Sequence, residues 1–234
     1  MSRMEVVAFD RLVLNFAPRP WAFAETRRAE IDAHFATLQR AKPQLWNGRV
    51  LLLHRHRLGG GTFEGDYFDT DFASMLAWRD WDFPDRTIHN CFAMAALRAE
   101  DGAFLLGVMG AHTANAGKVY FPAGTPEPGD VRGSRVDLEA GLLRELEEET
   151  GVTAAEVEPA PGWSAVLAGQ RIALMRIVTA KESGEALQAR IRDTIARQDM
   201  PELADVRLVR GPADLDSSVA PFVVAFVTSV WEQG

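Results

Sequence analysis

Cysteine is nearly absent from this chain: of 234 residues only Cys91 is one. A single thiol closes no intramolecular disulfide and builds no cysteine metal cluster, so nothing points to an oxidising compartment and the expected location is the cytoplasm. Basic residues are in deficit, with 25 Lys and Arg against 33 Asp and Glu, a formal net charge of −8. Broad binding to nucleic acid or to anionic membranes relies on an excess of Lys and Arg, so neither is expected as a partner. An anionic small-molecule substrate would need local help. Long apolar runs are missing too. The longest, Val219 to Trp231, is broken by Pro221, Thr228 and Ser229 and falls short of the ~20 residues of a membrane span; it reads as a buried C-terminal helix. The opening MSRMEVVAFDRLVLNF carries Glu5, Asp10 and Arg11 where a signal peptide needs an uninterrupted apolar core. Repeats and low-complexity tracts are absent.

What is present is an ordinary globular composition, 47% hydrophobic and 25% charged. The length allows one large domain, or a modest domain with a substantial extension. Apolar residues at helical intervals (Ile31, Phe35, Leu38) predict a helix over about Phe23 to Lys42, stopped by Pro43. RVLLLHRHRL, the Gly59-Gly60-Gly61 turn and TFEGDYF read as a hairpin, and DFASMLAWRDW as a helix. The stretch Asp82 to Asn90 is the best candidate boundary, dividing an N-terminal helix-plus-hairpin extension (1–88) from a second α/β unit (89–234). Strands are expected at CFAMAALRAE, AFLLGVMGAH, KVYFPAG, SAVLAGQRIALMRIVTA and DVRLVRG, with helices at ESGEALQARIRDTIARQ and the C-terminus. Mixed strands interleaved with helices predict an α/β/α sandwich.

Phe121 to Val152 carries the chemistry. Its second half predicts a helix with Asp137 as N-cap and Gly151 as the terminating glycine, burying Leu138, Leu142, Leu143 and Leu146. At 100° per residue, Glu145, Glu148 and Glu149 lie within roughly a 100° arc beside that stripe, whereas Glu147 points elsewhere. Clustered carboxylates repel one another unless neutralised, and oxygen-only ligation suits Mg²⁺ or Mn²⁺, with substrate phosphates completing the shell. A run of three glutamates taken alone reads as a solvated face; its surroundings change that reading.

Arg144-Glu145-Leu146-Glu147-Glu148-Glu149-Thr150-Gly151-Val152 resembles the second half of the nudix box, R-E-U-x-E-E-x-G-U with U aliphatic. A chance match anywhere in the chain is roughly one in ten thousand or rarer. The first half of that box is a glycine, five residues, an acid, then seven residues to the arginine. Gly124 to Asp130 supply the opening, with Asp where Glu is usual, but residues 131–143 make a longer spacer, with six extra residues around VRGSRV. The resemblance implies a nudix-type α/β/α sandwich with a mixed sheet. It also implies a pyrophosphohydrolase cleaving a nucleoside diphosphate linked to another group. Glu145, Glu148 and Glu149 would hold divalent cations, Ala123 would offer a backbone carbonyl, and Arg144 would orient a glutamate and pair with Asp130. For the general base the resemblance leaves two choices: Glu148 within the box, or Glu202 outside it, which also reads as a solvated loop carboxylate or an extra ligand. Glu182 and Glu185 read as favourable charges at a helix start.

LWNGRVLLLHRHRL, GDYFDTDF, NAGKVYFPAGTPEP and the long spacer are similar to a nudix subgroup that includes an animal enzyme hydrolysing UDP-glucose and UDP-galactose. That similarity makes a UDP-sugar the leading substrate, with ADP-ribose, coenzyme A and oxidised nucleotides as alternatives. A nudix-fold protein that binds a nucleotide metabolite without turnover is the competing reading; intact box glutamates favour the enzyme. Phe63, Tyr67, Phe68, Trp78 and Tyr120 are candidate base platforms, with core packing the preferred role. His54 and His56 alternate with arginines and are expected to share one polar strand face.

Overall fold

The computed structural model describes residues 4–233. The chain opens with two short strands, β1 (Glu5–Phe9) and β2 (Arg11–Phe16), followed by α1 (Ala22–Thr26), α2 (Arg28–Ala41), β3 (Arg49–Gly59), β4 (Thr62–Asp71) and α3 (Phe72–Asp80). Then come β5 (Asn90–Arg98), β6 (Phe104–Met109), β7 (Val119–Tyr120), β8 (Val131–Arg132), β9 (Arg135–Val136) and α4 (Leu138–Thr150). The rest comprises β10 (Val157–Pro159), β11 (Trp163–Ala168), β12 (Arg171–Ala180), α5 (Gly184–Ile195), β13 (Leu203–Val209) and α6 (Pro221–Gln233). The expected mixed α/β class is the one found. No helix among the described residues is long and apolar enough to cross a membrane.

One sheet runs β1-β11-β12-β5-β6-β13, with β10 beside β12 and β7 beside β6; the other runs β3-β4-β2-β9-β8. Both are mixed: β12 lies parallel to β5, and β2 parallel to β4. Helix α4 packs on β5, α5 on β13 and α6 on β11. The strand β1, to which the sequence reading assigned no element, pairs with β11 from Glu5↔Leu167 to Phe9↔Trp163. Chain from either side of residue 88 therefore shares a sheet. It shares a core as well: Phe9, Leu14, Leu53 and Tyr67 pack in one cluster with Met94, Leu142 and Leu174. A second cluster around Trp21, Phe35, Phe68 and Trp78 fills the N-terminal layer.

Three local departures from the sequence reading have identifiable causes. The first helix divides at Arg27, whose guanidinium sits 4.4 Å over the Trp81 ring while the residue leaves the helical region (φ −111°, ψ 20°). The run SAVLAGQRIALMRIVTA divides into β11 and β12 at Gly169, where φ of 64° makes a tight hairpin turn that apolar patterning alone does not reveal. A bulge between Leu53 and Arg55 turns His54 toward Phe68, whereas His56 stacks on Phe63, so the two histidines do not share a face.

Beyond α3 the chain bends sharply. Asp82 and Phe83 both take φ of 57°, a left-handed conformation that costs non-glycine residues of order 1–3 kcal/mol each. It is held by a 2.8 Å bond from the Phe83 N–H to the Trp78 carbonyl and by an edge-to-face contact of the two rings at 4.7 Å.

The extra residues of the long spacer form a hairpin, β8 and β9, turning at Gly133 (φ 62°). Its second strand adds to β2: the Phe16 N–H donates to the Ser134 carbonyl at 2.9 Å, and Arg135 Nη1 donates to Asn15 Oδ1 at 2.9 Å. The insertion thereby ties the N-terminal strands to the start of α4.

Candidate active site

Helix α4 starts and stops where its sequence says it should. Asp137 accepts a hydrogen bond from the Ala140 N–H at 3.0 Å, and Gly151 closes the last turn with φ of 72°. Leu138, Leu142 and Leu146 are buried, while Leu143, at the edge of the stripe, is only half-buried. Glu147 points to solvent. The other three glutamates sit at graded depths beside the stripe.

Glu149 is the deepest, at 4% exposure, and neither of its carboxylate oxygens has a hydrogen-bond partner of full geometry, the Ala123 N–H offsetting its burial only in part. Burial, and then the charges of Glu202 and Glu145, hold its carboxyl well above the usual range. Burial also pushes the Glu145 carboxyl up to about 7, against the pull of Arg144 and with Glu148 and Glu202 adding to the rise. Glu148 is the most open, its side chain 58% exposed. A Cβ on Gly124 would overlap the Glu145 carboxylate, so any larger residue at Gly124 would push that carboxylate out of its present place. The loop is anchored to β5 by the Ala95 N–H, which donates to the Pro122 carbonyl at 3.2 Å.

Arg144 reaches three carboxylates: Glu145 at 2.7 Å, Asp130 at 3.3 Å and Glu148 at 3.4 Å. The longer spacer therefore leaves the Asp130–Arg144 pair in place. Asp130 is 5% exposed. Its Oδ2 accepts from the Glu127 N–H at 3.0 Å, and its own N–H donates to the Glu127 carbonyl at 2.9 Å. Gly141 leaves room for it on the helix: a Cβ there would stand 3.2 Å from Oδ1.

Glu202, exposed just before β13, is fixed by its carbonyl, which accepts from the Gly110 N–H at 2.8 Å. Its charge raises the pKa of Glu145, Glu149 and Tyr120, so it acts electrostatically on the acidic patch. Glu182 and Glu185 do not. They pair with Arg190 and Arg210, each at 2.6 Å, and Glu185 lies in the first turn of α5 as expected.

Among the described residues, no three His, Cys, Asp or Glu side chains already close into a metal cage. The fit to a divalent cation rests on donor chemistry. The patch offers oxygen donors alone, two of them buried without partners, and repulsion among its carboxylates is what a hard cation relieves.

Ala123 and Gly124 also line a cleft of about 480 Å³, together with Trp78, Tyr120, Phe83, Phe92, Arg171 and Phe222. Of the five candidate aromatics, Phe63, Tyr67, Phe68 and Trp78 are wholly buried and belong to the core, Trp78 only bordering the cleft; the Tyr67 hydroxyl donates to the Cys91 carbonyl at 3.0 Å. Tyr120 is the only other of the five at the cleft. Sequence reasoning missed Phe83, Phe92, Arg171 and Phe222 because they come from four separate segments, and no local pattern marks them.

A NUDIX domain model matches residues 88–214, more than half of the sequence. The chain belongs to the NUDIX family, as a nudix hydrolase. Such enzymes generally use divalent cations and act on small nucleoside diphosphate derivatives. Among solved structures, the chain is similar to a Nudix hydrolase from M. smegmatis, RenU (18% identity, TM-score 0.39, 62% of this chain and 84% of that one). It is also similar to the MutT protein from Methanosarcina mazei Go1 (19% identity, TM-score 0.42, 62% and 94%). A mutant of the Bacillus subtilis pyrophosphohydrolase BsRppH is a third (18% identity, TM-score 0.37, 65% and 86%). No curated protein matches the sequence.

Proposed function

We propose that this chain is a Mg²⁺-dependent pyrophosphohydrolase, with Mn²⁺ able to substitute, that cleaves a nucleoside diphosphate linked to another group. The products are a nucleoside monophosphate and a phosphorylated moiety. The observation that carries the reading is Glu149, buried with both carboxylate oxygens unpartnered beside Glu145 and within the field of Glu202. Such an arrangement is costly unless a cation completes it. Glu145, Glu148 and Glu149 would hold the ions, together with the Ala123 carbonyl. A bound divalent cation supplies Lewis-acid polarisation of the phosphoryl oxygens and neutralises their charge.

The remaining work falls to the chain. Glu148, the open carboxylate of the patch, takes the proton of the attacking water as its oxygen bonds to phosphorus; the bridging P–O bond breaks and its electrons leave on the second phosphate. Glu202 is the alternative base. Arg144, held by Asp130, fixes the orientation of Glu145 and Glu148. A UDP-sugar is the leading substrate, supported by the sequence likeness in the N-terminal segment and the box insertion. A cytoplasmic setting accords with Cys91 as a buried free thiol.

The test is a panel of UDP-sugars, ADP-sugars, ADP-ribose, coenzyme A and oxidised nucleoside triphosphates, assayed with Mg²⁺ or Mn²⁺ for monophosphate release. Turnover of at least one member, falling by roughly 10²-fold or more in Glu148→Gln, is expected. An inactive panel would remove the hydrolase reading. If Glu202→Gln rather than Glu148→Gln stops turnover, the base is Glu202.

A further inference from the structure

Between the N-terminal layer and the nudix sheet, the cleft has a composition at odds with the chain around it. The protein carries a net charge of −8, yet no Asp or Glu lines the cleft, whereas Arg171 and Lys118 do. Arg79, which also borders the cleft, pairs with Asp80 at 2.8 Å, whereas among the described residues Arg171 and Lys118 have no salt-bridge partner. Arg171 is instead held 5.3 Å over the Phe83 ring. Phe83 owes that position to the left-handed bend it shares with Asp82, a strained conformation of the kind that persists where surrounding structure enforces it. Across the cleft, Phe92 and Phe222 meet edge to face at 5.8 Å, and both remain partly exposed. Asn90, on the same wall, has a side-chain oxygen without a hydrogen-bond partner.

We infer that this cleft is the subsite for the nucleoside monophosphate end of the substrate, with Phe83 and Arg171 as its recognition pair and the N-terminal segment as one of its walls. The inference rests on the pyrophosphohydrolase reading for its orientation, because Gly124, which lines the cleft, lies against the Glu145 carboxylate. Its chemistry is local. Partly exposed phenylalanine faces accept a planar base. A guanidinium stacked on a ring keeps its N–H edges free for a base carbonyl, which leaves the phosphate to Lys118. Lys118 adds a second positive charge without a competing carboxylate. An anionic and aromatic ligand satisfies both halves of the lining, whereas a sugar phosphate alone satisfies one.

The experiment measures binding rather than turnover. Uridine 5′-monophosphate, adenosine 5′-monophosphate and ribose 5-phosphate are titrated into full-length protein with Mg²⁺ present, followed by tryptophan fluorescence, since Trp78 touches Phe83. Wild type is expected to bind at least one nucleotide about tenfold tighter than ribose 5-phosphate, and Phe83→Ala and Arg171→Gln each to erase that advantage while leaving ribose 5-phosphate binding unchanged. Arg171→Gln lies on the surface at the start of β12, so it keeps the test available if Phe83→Ala fails to fold. Equal binding of all three ligands by wild type, or an advantage that survives in a folded variant, overturns the assignment. Base-selective binding without cleavage of any diphosphate would leave the subsite standing and sink the hydrolase reading; cleavage without base selectivity would do the reverse.

Discussion

Glu149 shows how a residue that is unfavourable to folding can be the one that matters to chemistry. A carboxylate buried without a hydrogen bond costs several kcal/mol if it stays charged, and Glu149 has no partner for either oxygen. Its neighbour Glu145 is pushed up to about 7. Acids whose folded values are raised stabilise the fold most when protonated, below the ordinary value near 4.3, and lose that stability as pH rises through the folded value. Metal-free protein should therefore melt at lower temperature at pH 8 than at pH 5. For Glu145 alone the loss is up to about 3 kcal/mol. Saturating Mg²⁺ should remove most of the difference, and thermal melts at both pH values, with and without the ion, read this directly. Gly124→Ala tests the same patch from the other side. Its Cβ would collide with the Glu145 carboxylate, so kcat should fall at least tenfold while the far-UV circular dichroism stays that of wild type.

At the scale of elements, legibility followed locality. Helix α4 was readable to its caps because Asp137, the leucine stripe and Gly151 are signals within one short segment. Gly151 should be costly to replace: its φ is 72° and a Cβ would stand 2.9 Å from Thr194 Cγ2, so Gly151→Ala should lower stability by about 1 kcal/mol or more, measured by urea unfolding. The strand β1 was unreadable for the opposite reason: its partner β11 lies more than 150 residues along the chain, and five residues with a mixed exposure pattern carry no strong period. The spacer hairpin was likewise visible as extra length but not as structure, since its pairing partner, Asn15, is remote. Arg144, Glu145, Glu148 and Glu149 stood out by motif; the cleft's Phe83, Phe92, Arg171 and Phe222 could not, because convergence in space leaves no mark on spacing.

At the scale of the molecule, the surplus of negative charge is unevenly distributed. Part of it is concentrated where α4 faces Glu202, and it is absent from the cleft that Ala123 and Gly124 line. A protein of net charge −8 can hold a pyrophosphate there only if cations occupy the carboxylate patch first. The most direct measurement is the binding of Mn²⁺ to metal-free protein, followed by electron paramagnetic resonance for wild type, Glu149→Gln and the remote control Glu185→Gln. Bound Mn²⁺ in wild type and in the control, with affinity reduced at least tenfold in Glu149→Gln, is the predicted result. Equal affinity in all three proteins would contradict the account, because the buried, unpartnered carboxylate would then have no cation to hold.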